Sequence, residues 1–141
     1  MHSLREMQIY YKGIADSKIV IIDTSSIIYA IENNIKIDQI VQEELHGYKP
    51  YILMSTIREL KSIAKKGIRR AIYAKAALSL IRHLKINIIK DRYRYADRSI
   101  LKTADMLKDK DIAVLTNDTE LYYALKDIGV KAYRISRYNL R

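Results

Sequence analysis

The stretch IAVLTNDTELYYALKDIGVKAYRI, residues 112–135, joins two hydrophobic periods through a short polar corner. Its first four residues are all apolar, as expected of a buried strand. The polar corner Thr116-Asn117-Asp118 ends this run. From there to Gly129 apolar side chains recur at helical spacing, and a second short β-rich run follows. The stretch therefore predicts a strand, a polar corner, a helix and a further strand.

The polar corner allows two interpretations of its acidic residue. Asn117 followed by Glu120 fits a helix capping box, and an acid in the first helical turn complements the helix dipole. If Asn117 is the cap, however, capping does not require Asp118. Its carboxylate is then available for another role at the tip of a strand.

The composition limits the classes of protein that need to be considered. A chain of 141 residues with 49% hydrophobic residues is long enough for one folded domain. The absence of cysteine excludes disulfides, thiolate catalysis and zinc–cysteine sites. The first 13 residues carry charges where a signal peptide needs an apolar core, and no apolar run reaches transmembrane length. We therefore expect a cytoplasmic protein with no membrane partner.

The net charge of +10 is concentrated in one segment. Residues 58–98 hold thirteen Lys and Arg but three acids, whereas the other hundred residues balance thirteen against thirteen. Such a segment is typical of a polyanion-binding face, although a pair of solvated helices would also carry it. Two interleaved tyrosines, Tyr93 and Tyr95, favour nucleic acid because they could stack on unpaired bases. The candidate RNA-binding residues are Lys61, Lys65, Lys66, Arg69, Arg70, Arg94 and Arg98.

The rest of the chain repeats the alternation of strands and helices. Short aliphatic runs at 18–22, 51–55 and 86–90 precede the two strands of the 112–135 stretch, with helical patterns between them. This order predicts an α/β domain with a five-stranded, mostly parallel sheet and helices on both faces. We expect one domain over residues 1–141, with a core at about 18–136. Residues 1–17 show no clear period and form an N-terminal appendage of unknown role.

Ligands of such sheets bind outside the carboxyl ends of the strands. Four acids follow the first four predicted strands: Asp23, Glu59, Asp97 and Asp118. Three have plainer explanations. Ser55 or Thr56 is predicted to cap the helix that contains Glu59, and Glu59 could close a capping box from Thr56. Asp97 could be an N-cap, and Asp118 could complement the helix dipole. Asp23 is hardest to explain in this way, because burying an unpaired charge costs several kcal/mol.

Together, the four acids favour a metal site. Carboxylates that converge on one rim repel one another and raise each other's pKa unless a cation neutralises them. Hard oxygen ligands without His or Cys suit Mg²⁺ or Mn²⁺ better than zinc. Two such ions beside a basic surface are suited to cutting a phosphodiester bond.

Four segments resemble, in order and spacing, the acidic motifs of PIN-domain nucleases: KIVIIDTSSII (18–28), STIRELKSI (55–63), ADRSILKTA (96–104) and VLTNDTELYYALKDIGV (114–130). The resemblance implies a five-stranded parallel sheet. It also implies Mg²⁺- or Mn²⁺-dependent cleavage of single-stranded RNA that leaves 5′-phosphate and 3′-hydroxyl ends. By this resemblance the four acids are catalytic metal ligands, and the hydroxyls of Thr116 and Ser25 orient the first carboxylate.

Several functions stay open within and beyond this resemblance. One branch of the family processes ribosomal RNA, and another comprises VapC-type toxins that a protein antitoxin holds inactive. The basic segment favours RNA processing, and a non-catalytic RNA-binding module is the alternative from another class. A nucleotide-binding protein is disfavoured because none of the four glycines forms a phosphate-binding motif. The sequence is compatible with a protein antitoxin as a partner and with a homodimer.

Overall fold

The computed structural model describes residues 8–67, 69–91, 96–137 and 139–141. Of the predicted site residues, Arg94 lies outside this part, as do Tyr93 and Tyr95, and the side chain of Asp97 is also not described. The described strands are β1 (Gln8–Ile9), β2 (Lys18–Ile22), β3 (Lys49–Leu53), β4 (Asn87–Ile89), β5 (Asp111–Leu115) and β6 (Lys131–Tyr133). The described helices are α1 (Thr24–Glu32), α2 (Ile37–Glu44), α3 (Met54–Lys66), α4 (Arg69–His83), α5 (Ala96–Met106) and α6 (Thr119–Asp127).

In this part of the chain, all strands join one sheet in the order β1-β4-β3-β2-β5-β6, and every neighbouring pair is parallel. The predicted α/β fold is confirmed, and the five predicted strands are all present. Strand β2 pairs with β3 on one side and β5 on the other, so it lies inside the sheet. Its continuous aliphatic sequence suits a strand that is covered on both faces.

Alternate residues of β2 feed two apolar cores, one on each face of the sheet. Val20 and Ile22 belong to a core that includes buried residues of α1, α2, α3 and α4. Ile19 and Ile21 belong to a second core with buried residues of α5 and α6. Because successive side chains of a strand point to opposite faces, this alternation places helices on both faces, as predicted.

The sheet has one strand more than the sequence predicts, because residues 8–17 take part in the fold. Strand β1 pairs with β4 at the sheet edge. The hydroxyl of the buried Tyr51 donates to Asp16 Oδ2 at 2.6 Å, and Tyr11 and Thr103 share a hydroxyl hydrogen bond at 3.0 Å. Burial, followed by the bond to Asp16, raises the pKa of Tyr51. A segment without a clear sequence period thus closes one edge of the sheet.

The start of α3 differs from the sequence prediction that Ser55 or Thr56 caps this helix. The N-cap position is Leu53, which has no capping side chain, and the helix begins at Met54. The amide of Ser55 instead donates to Asp91 Oδ1 at 2.9 Å. The prediction is wrong because the acceptor at this helix N-terminus comes from a distant part of the chain.

None of the helices that the structure describes is long and apolar enough to cross a membrane.

Candidate active site

The carboxyl ends of the adjacent strands β2 and β5 bring two polar residues together. Ile22 lies opposite Leu115 in the register of these strands, and the amide of Asp23 donates to the carbonyl of Leu115 at 2.9 Å. Thr116 follows Leu115 and is fully buried. Its hydroxyl donates to Asp23 Oδ2 at 2.9 Å. Strand register therefore fixes Asp23 against Thr116 at the rim of the sheet.

Neutral groups hold the carboxylate of Asp23, which is 3% exposed. Besides Thr116, the hydroxyl of Ser25 donates to Oδ2 at 2.6 Å. Burial raises the pKa of Asp23, the Ser25, Thr116 and backbone hydrogen bonds lower it, and the nearby Asp118 carboxylate raises it further. No described Lys or Arg forms an ion pair with Asp23. The pKa is raised on balance, because the effect of burial is larger than that of the hydrogen bonds to the ionised carboxylate.

Asp118 rather than Asn117 caps α6. Asp118 occupies the N-cap position, and its Oδ1 accepts from the amide of Leu121 at 2.9 Å. The predicted capping box from Asn117 to Glu120 is therefore wrong. The Asn117 side chain instead exchanges two hydrogen bonds with the backbone of Ile135 and accepts from Ser26 Oγ at 2.7 Å. The side-chain amide of Asn117, which the sequence pattern predicts as the helix cap, therefore bonds to the segment that follows β6.

Glu59 reaches α1 instead of the start of its own helix. Its exposed side chain lies in the second turn of α3, and Oε2 accepts from Thr24 Oγ1 at 3.2 Å. The capping box with Thr56 is wrong because the helix begins two residues before Thr56. The Thr56 hydroxyl is buried and has no hydrogen-bond partner among the residues that the structure describes. The bond to Thr24 places Glu59 beside the residue that follows Asp23.

One open cavity of about 430 Å³ unites most of the predicted site. Three of the four predicted acids line it, together with Arg70, and the lining residues are Asp23, Thr24, Ser25, Ile28, Tyr29, Glu32, Glu59, Arg70, Asn117 and Asp118. Asp97 belongs to the first turn of α5, and its side chain lies outside the described part. Within that part, no three acidic, His or Cys residues lie close enough together to hold a metal ion. The assignment of the acids as metal ligands stays a prediction.

The chemistry of the cavity fits a hard divalent cation. Asp23, Glu59 and Asp118 offer carboxylate oxygens, and no His or Cys is among the cavity residues. Burial and, as the smallest of the causes, the Asp118 charge raise the pKa of the Asp23 carboxylate, whose described hydrogen-bond donors are neutral. A bound cation would remove this repulsion and favour the ionised form.

One of the predicted RNA-binding residues that the structure describes lines the cavity. Arg70 lines it beside the acids. The others are exposed on three helices, and they are Lys61, Lys65 and Lys66 on α3, Arg69 on α4 and Arg98 on α5. Of the described members of this set, Arg70 is the one whose side chain reaches the acidic cavity.

The sequence analysis overlooked Asp91, which is 6% exposed and follows β4. Its Oδ1 accepts from the amide of Ser55 in α3, and its Oδ2 accepts from the hydroxyl of Ser99 in α5. Asp91 thus ties together the helices that carry Glu59 and Asp97. The signal was present, because Asp91 is an acid near the end of a buried strand, as Asp23 is.

The parallel order of the sheet and the acids at its carboxyl rim define an α/β protein of the PIN type. A family model described as PIN like domain matches residues 20–136. The chain therefore belongs to the PIN-domain family, and the resemblance found in the sequence is confirmed.

Solved structures show the same fold. The chain is 24% identical to the PIN domain endonuclease Utp24, with a TM-score of 0.73 over 90% of this chain and 92% of that chain. A domain of a functionally unknown protein from Methanocaldococcus jannaschii is 19% identical, with a TM-score of 0.55 over 84% and 91%. VapBC-1 from nontypeable Haemophilus influenzae is 18% identical, with a TM-score of 0.48 over 81% and 96%. No curated protein matches the chain.

Proposed function

We propose that this protein is an endoribonuclease that uses Mg²⁺ or Mn²⁺ to hydrolyse phosphodiester bonds in single-stranded RNA. The observation that carries the proposal is the Asp23 carboxylate, which is buried, ionisable and held by neutral hydroxyls inside an open cavity. Perturbed carboxylates in a cleft are typical of functional sites. The fold shared with Utp24, a PIN domain endonuclease, supports nuclease chemistry as the function of the cavity.

We assign three tasks to the predicted site residues. Asp23, Glu59, Asp97 and Asp118 would hold the ions, which when bound would activate water and stabilise the leaving oxygen. Ser25 and Thr116 fix the orientation of the Asp23 carboxylate through their hydrogen bonds. Arg70 supplies positive charge on the cavity wall, where a phosphate of the RNA would lie.

Cleavage of a labelled single-stranded RNA tests the proposal. We expect endonucleolytic products with 5′-phosphate and 3′-hydroxyl ends in Mg²⁺ or Mn²⁺ and no products in EDTA. A duplex of the same sequence is the matched substrate control and should stay intact. RNA binding without cleavage in either metal would contradict the proposal and leave the non-catalytic RNA-binding module.

We further propose that the protein processes ribosomal RNA in the cytoplasm and that residues 1–141 form a single domain. The excess of positive charge at residues 58–98 supports an RNA substrate that is held mainly through its phosphates, because phosphate contacts bind RNA without reading its sequence. A VapC-type toxin is the alternative. Growth arrest on expression, relieved by a neighbouring antitoxin gene and absent in a cleavage-dead variant, would favour the toxin.

A further inference from the structure

We propose that the cavity contains a nucleobase subsite on α1, formed by Ile28, Tyr29 and Glu32, which binds an unpaired guanine next to the scissile bond. This proposal rests on the proposed function, because it names the base that the same cavity recognises. None of the three residues belongs to the set of acids, hydroxyls and cations assigned above.

The subsite shares a wall with the acids. All three residues line the cavity that also contains Asp23 and Asp118. Residues 28 and 32 are one turn apart and residues 29 and 32 are three apart, so they share one side of α1. Because α1 follows Asp23 directly, the wall extends about 13 Å along the helix from Asp23 to Glu32. The cavity therefore continues beyond the carboxylates along α1.

Tyr29 and Ile28 provide the apolar part of this wall. Ile28 is buried, and the half-buried Tyr29 packs against the apolar core on this face of the sheet. Core packing restricts the orientation of the Tyr29 ring, which lowers the entropy lost when a base stacks on it. Unpaired RNA bases are commonly bound by stacking on aromatic side chains.

Glu32 provides the specificity. Its exposed carboxylate lies in a cavity proposed to bind a polyanion, where a negative charge weakens binding unless it meets a donor. Guanine presents two adjacent N–H donors on its Watson–Crick edge, which one carboxylate can accept together. Adenine presents a single amino donor beside an acceptor nitrogen. The carboxylate of Glu32 therefore selects guanine, while Arg70 on the same cavity carries the charge that attracts phosphate.

Binding without cleavage tests the subsite. Anisotropy of labelled oligouridines with one central guanine, inosine or adenine is measured in EDTA, so that the readout does not depend on metal-loaded activity. We expect guanine to bind about tenfold more tightly than adenine, with inosine between them because it lacks the amino group. Glu32→Gln should abolish this preference. Glu43→Gln on α2, which removes the same charge outside the cavity, should preserve it.

Substitutions of Tyr29 test whether its ring stacks on the base, and a control variant separates this effect from a loss of folding. Tyr29→Phe should retain guanine affinity, whereas Tyr29→Leu should lower it about tenfold, as the loss of one stacked base predicts. Tyr48→Leu is the matched control, because Tyr48 is also half-buried against the same core but does not line the cavity. Thermal unfolding of each variant verifies that it is folded.

Three results would overturn the subsite. They are equal wild-type affinity for guanine and adenine, a uniform gain of affinity for every base in Glu32→Gln, and loss of Mn²⁺ binding in that variant. The first removes base selection, the second makes Glu32 only repulsive, and the third makes it a metal ligand. If the wild type cleaves RNA but shows any of these, the subsite alone fails. A wild type that cleaves no RNA in Mg²⁺ or Mn²⁺ overturns the proposed function as well.

Discussion

Two aspartates at opposite ends of the adjacent strands β2 and β5 are held in contrasting ways. At the start of β5, Asp111 Oδ1 accepts from the ammonium of Lys131 at 2.8 Å and from the hydroxyl of Tyr48 at 2.7 Å. These bonds lower the pKa of Asp111. At the end of β2, Asp23 accepts from two neutral hydroxyls, and burial raises its pKa.

The contrast distinguishes a carboxylate whose ionised form stabilises the folded state, Asp111, from one whose ionised form destabilises it, Asp23. A lowered acid pKa means that the folded state favours the ionised form, so Asp111 contributes stability at neutral pH. A raised acid pKa means the opposite, so ionised Asp23 destabilises the fold. A group that is retained despite such a cost is a candidate for function, because stability and activity often conflict at active sites.

The largest expected effect comes from exchanging each aspartate for asparagine. Asp23→Asn should abolish RNA cleavage, with a loss of at least about 10²–10³-fold, because one stabiliser of the transition-state charge is removed. Its thermal stability should be unchanged or higher, since the buried charge disappears. Asp111→Asn should cleave RNA normally and be less stable. Cleavage assays in Mg²⁺ and thermal unfolding measure both differences.

Cleavage by Asp23→Asn at the wild-type rate would refute the assignment of Asp23. A marked loss of thermal stability in Asp23→Asn would also contradict the proposed contrast, because it would show that the ionised carboxylate stabilises the folded state.

The second prediction concerns the positive charge near the Asp23 end of the sheet. Replacing the four cations around the α3–α4 junction with Gln should weaken RNA binding for all sequences, and these are Lys65, Lys66, Arg69 and Arg70. Each lost phosphate contact should reduce the magnitude of the log–log salt slope by roughly 0.7, whereas the cleavage position should stay the same. Anisotropy titrations at several salt concentrations measure the slope.

A second quadruple variant controls for total charge. It replaces four exposed lysines outside the basic segment 58–98 with Gln, and these are Lys36, Lys49, Lys108 and Lys126. We expect its affinity and salt slope to stay close to those of the wild type. Equal slopes in both quadruple variants would place the RNA on another face of the protein.

The third prediction uses the metal itself. An ion that binds the folded state alone stabilises it by about 2.7 kcal/mol at 100 times its Kd, so Mn²⁺ should raise the Tm by several degrees. Asp23→Asn should lose most of this rise, and Asp111→Asn should keep it. Thermal unfolding with Mn²⁺ or EDTA provides the test. No rise in the wild type at saturating ion would show that the acids do not form a common site.

Much of the fold was accessible from the sequence because β2, β5 and their following helices are locally unambiguous. Continuous aliphatic runs such as KIVII predicted the inner strands, and the sheet rule placed Asp23 and Asp118 at one rim. Strand β1 was not predicted because two residues carry no periodicity and pair through their backbone alone.

The errors arose where distant residues replaced local partners. The capping rules predicted Ser55 or Thr56 as the cap of α3, but Asp91 accepts from the Ser55 amide at the start of that helix. They predicted Asn117 as the cap of α6, but the side-chain amide of Asn117 bonds to the backbone of Ile135. The acceptor for Ser55 is 36 residues away in sequence, so no local pattern contains it. The approach of Arg70 to the acids likewise depends on how α4 packs, which helical periodicity does not determine.

The smallest expected effect is the pH dependence of the stability that Asp111 contributes. The pKa of Asp111 is lowered in the folded protein, so its contribution is complete above the unfolded pKa of about 3.9 and is lost as pH falls through the folded value. The Asp111 side chain is 33% exposed and that of Lys131 is 53% exposed, so solvent screening limits the ion pair to about 0.2–1 kcal/mol. Urea unfolding at about pH 7 should show this deficit in the free energy of unfolding of Asp111→Asn, and at about pH 3 the deficit should shrink.

Lys131→Met should give a similar deficit at neutral pH, and the double variant should lose less stability than the sum of the two single variants. A deficit that is the same at both pH values would mean that Asp111 acts through uncharged hydrogen bonds, and the electrostatic contrast with Asp23 would then be wrong.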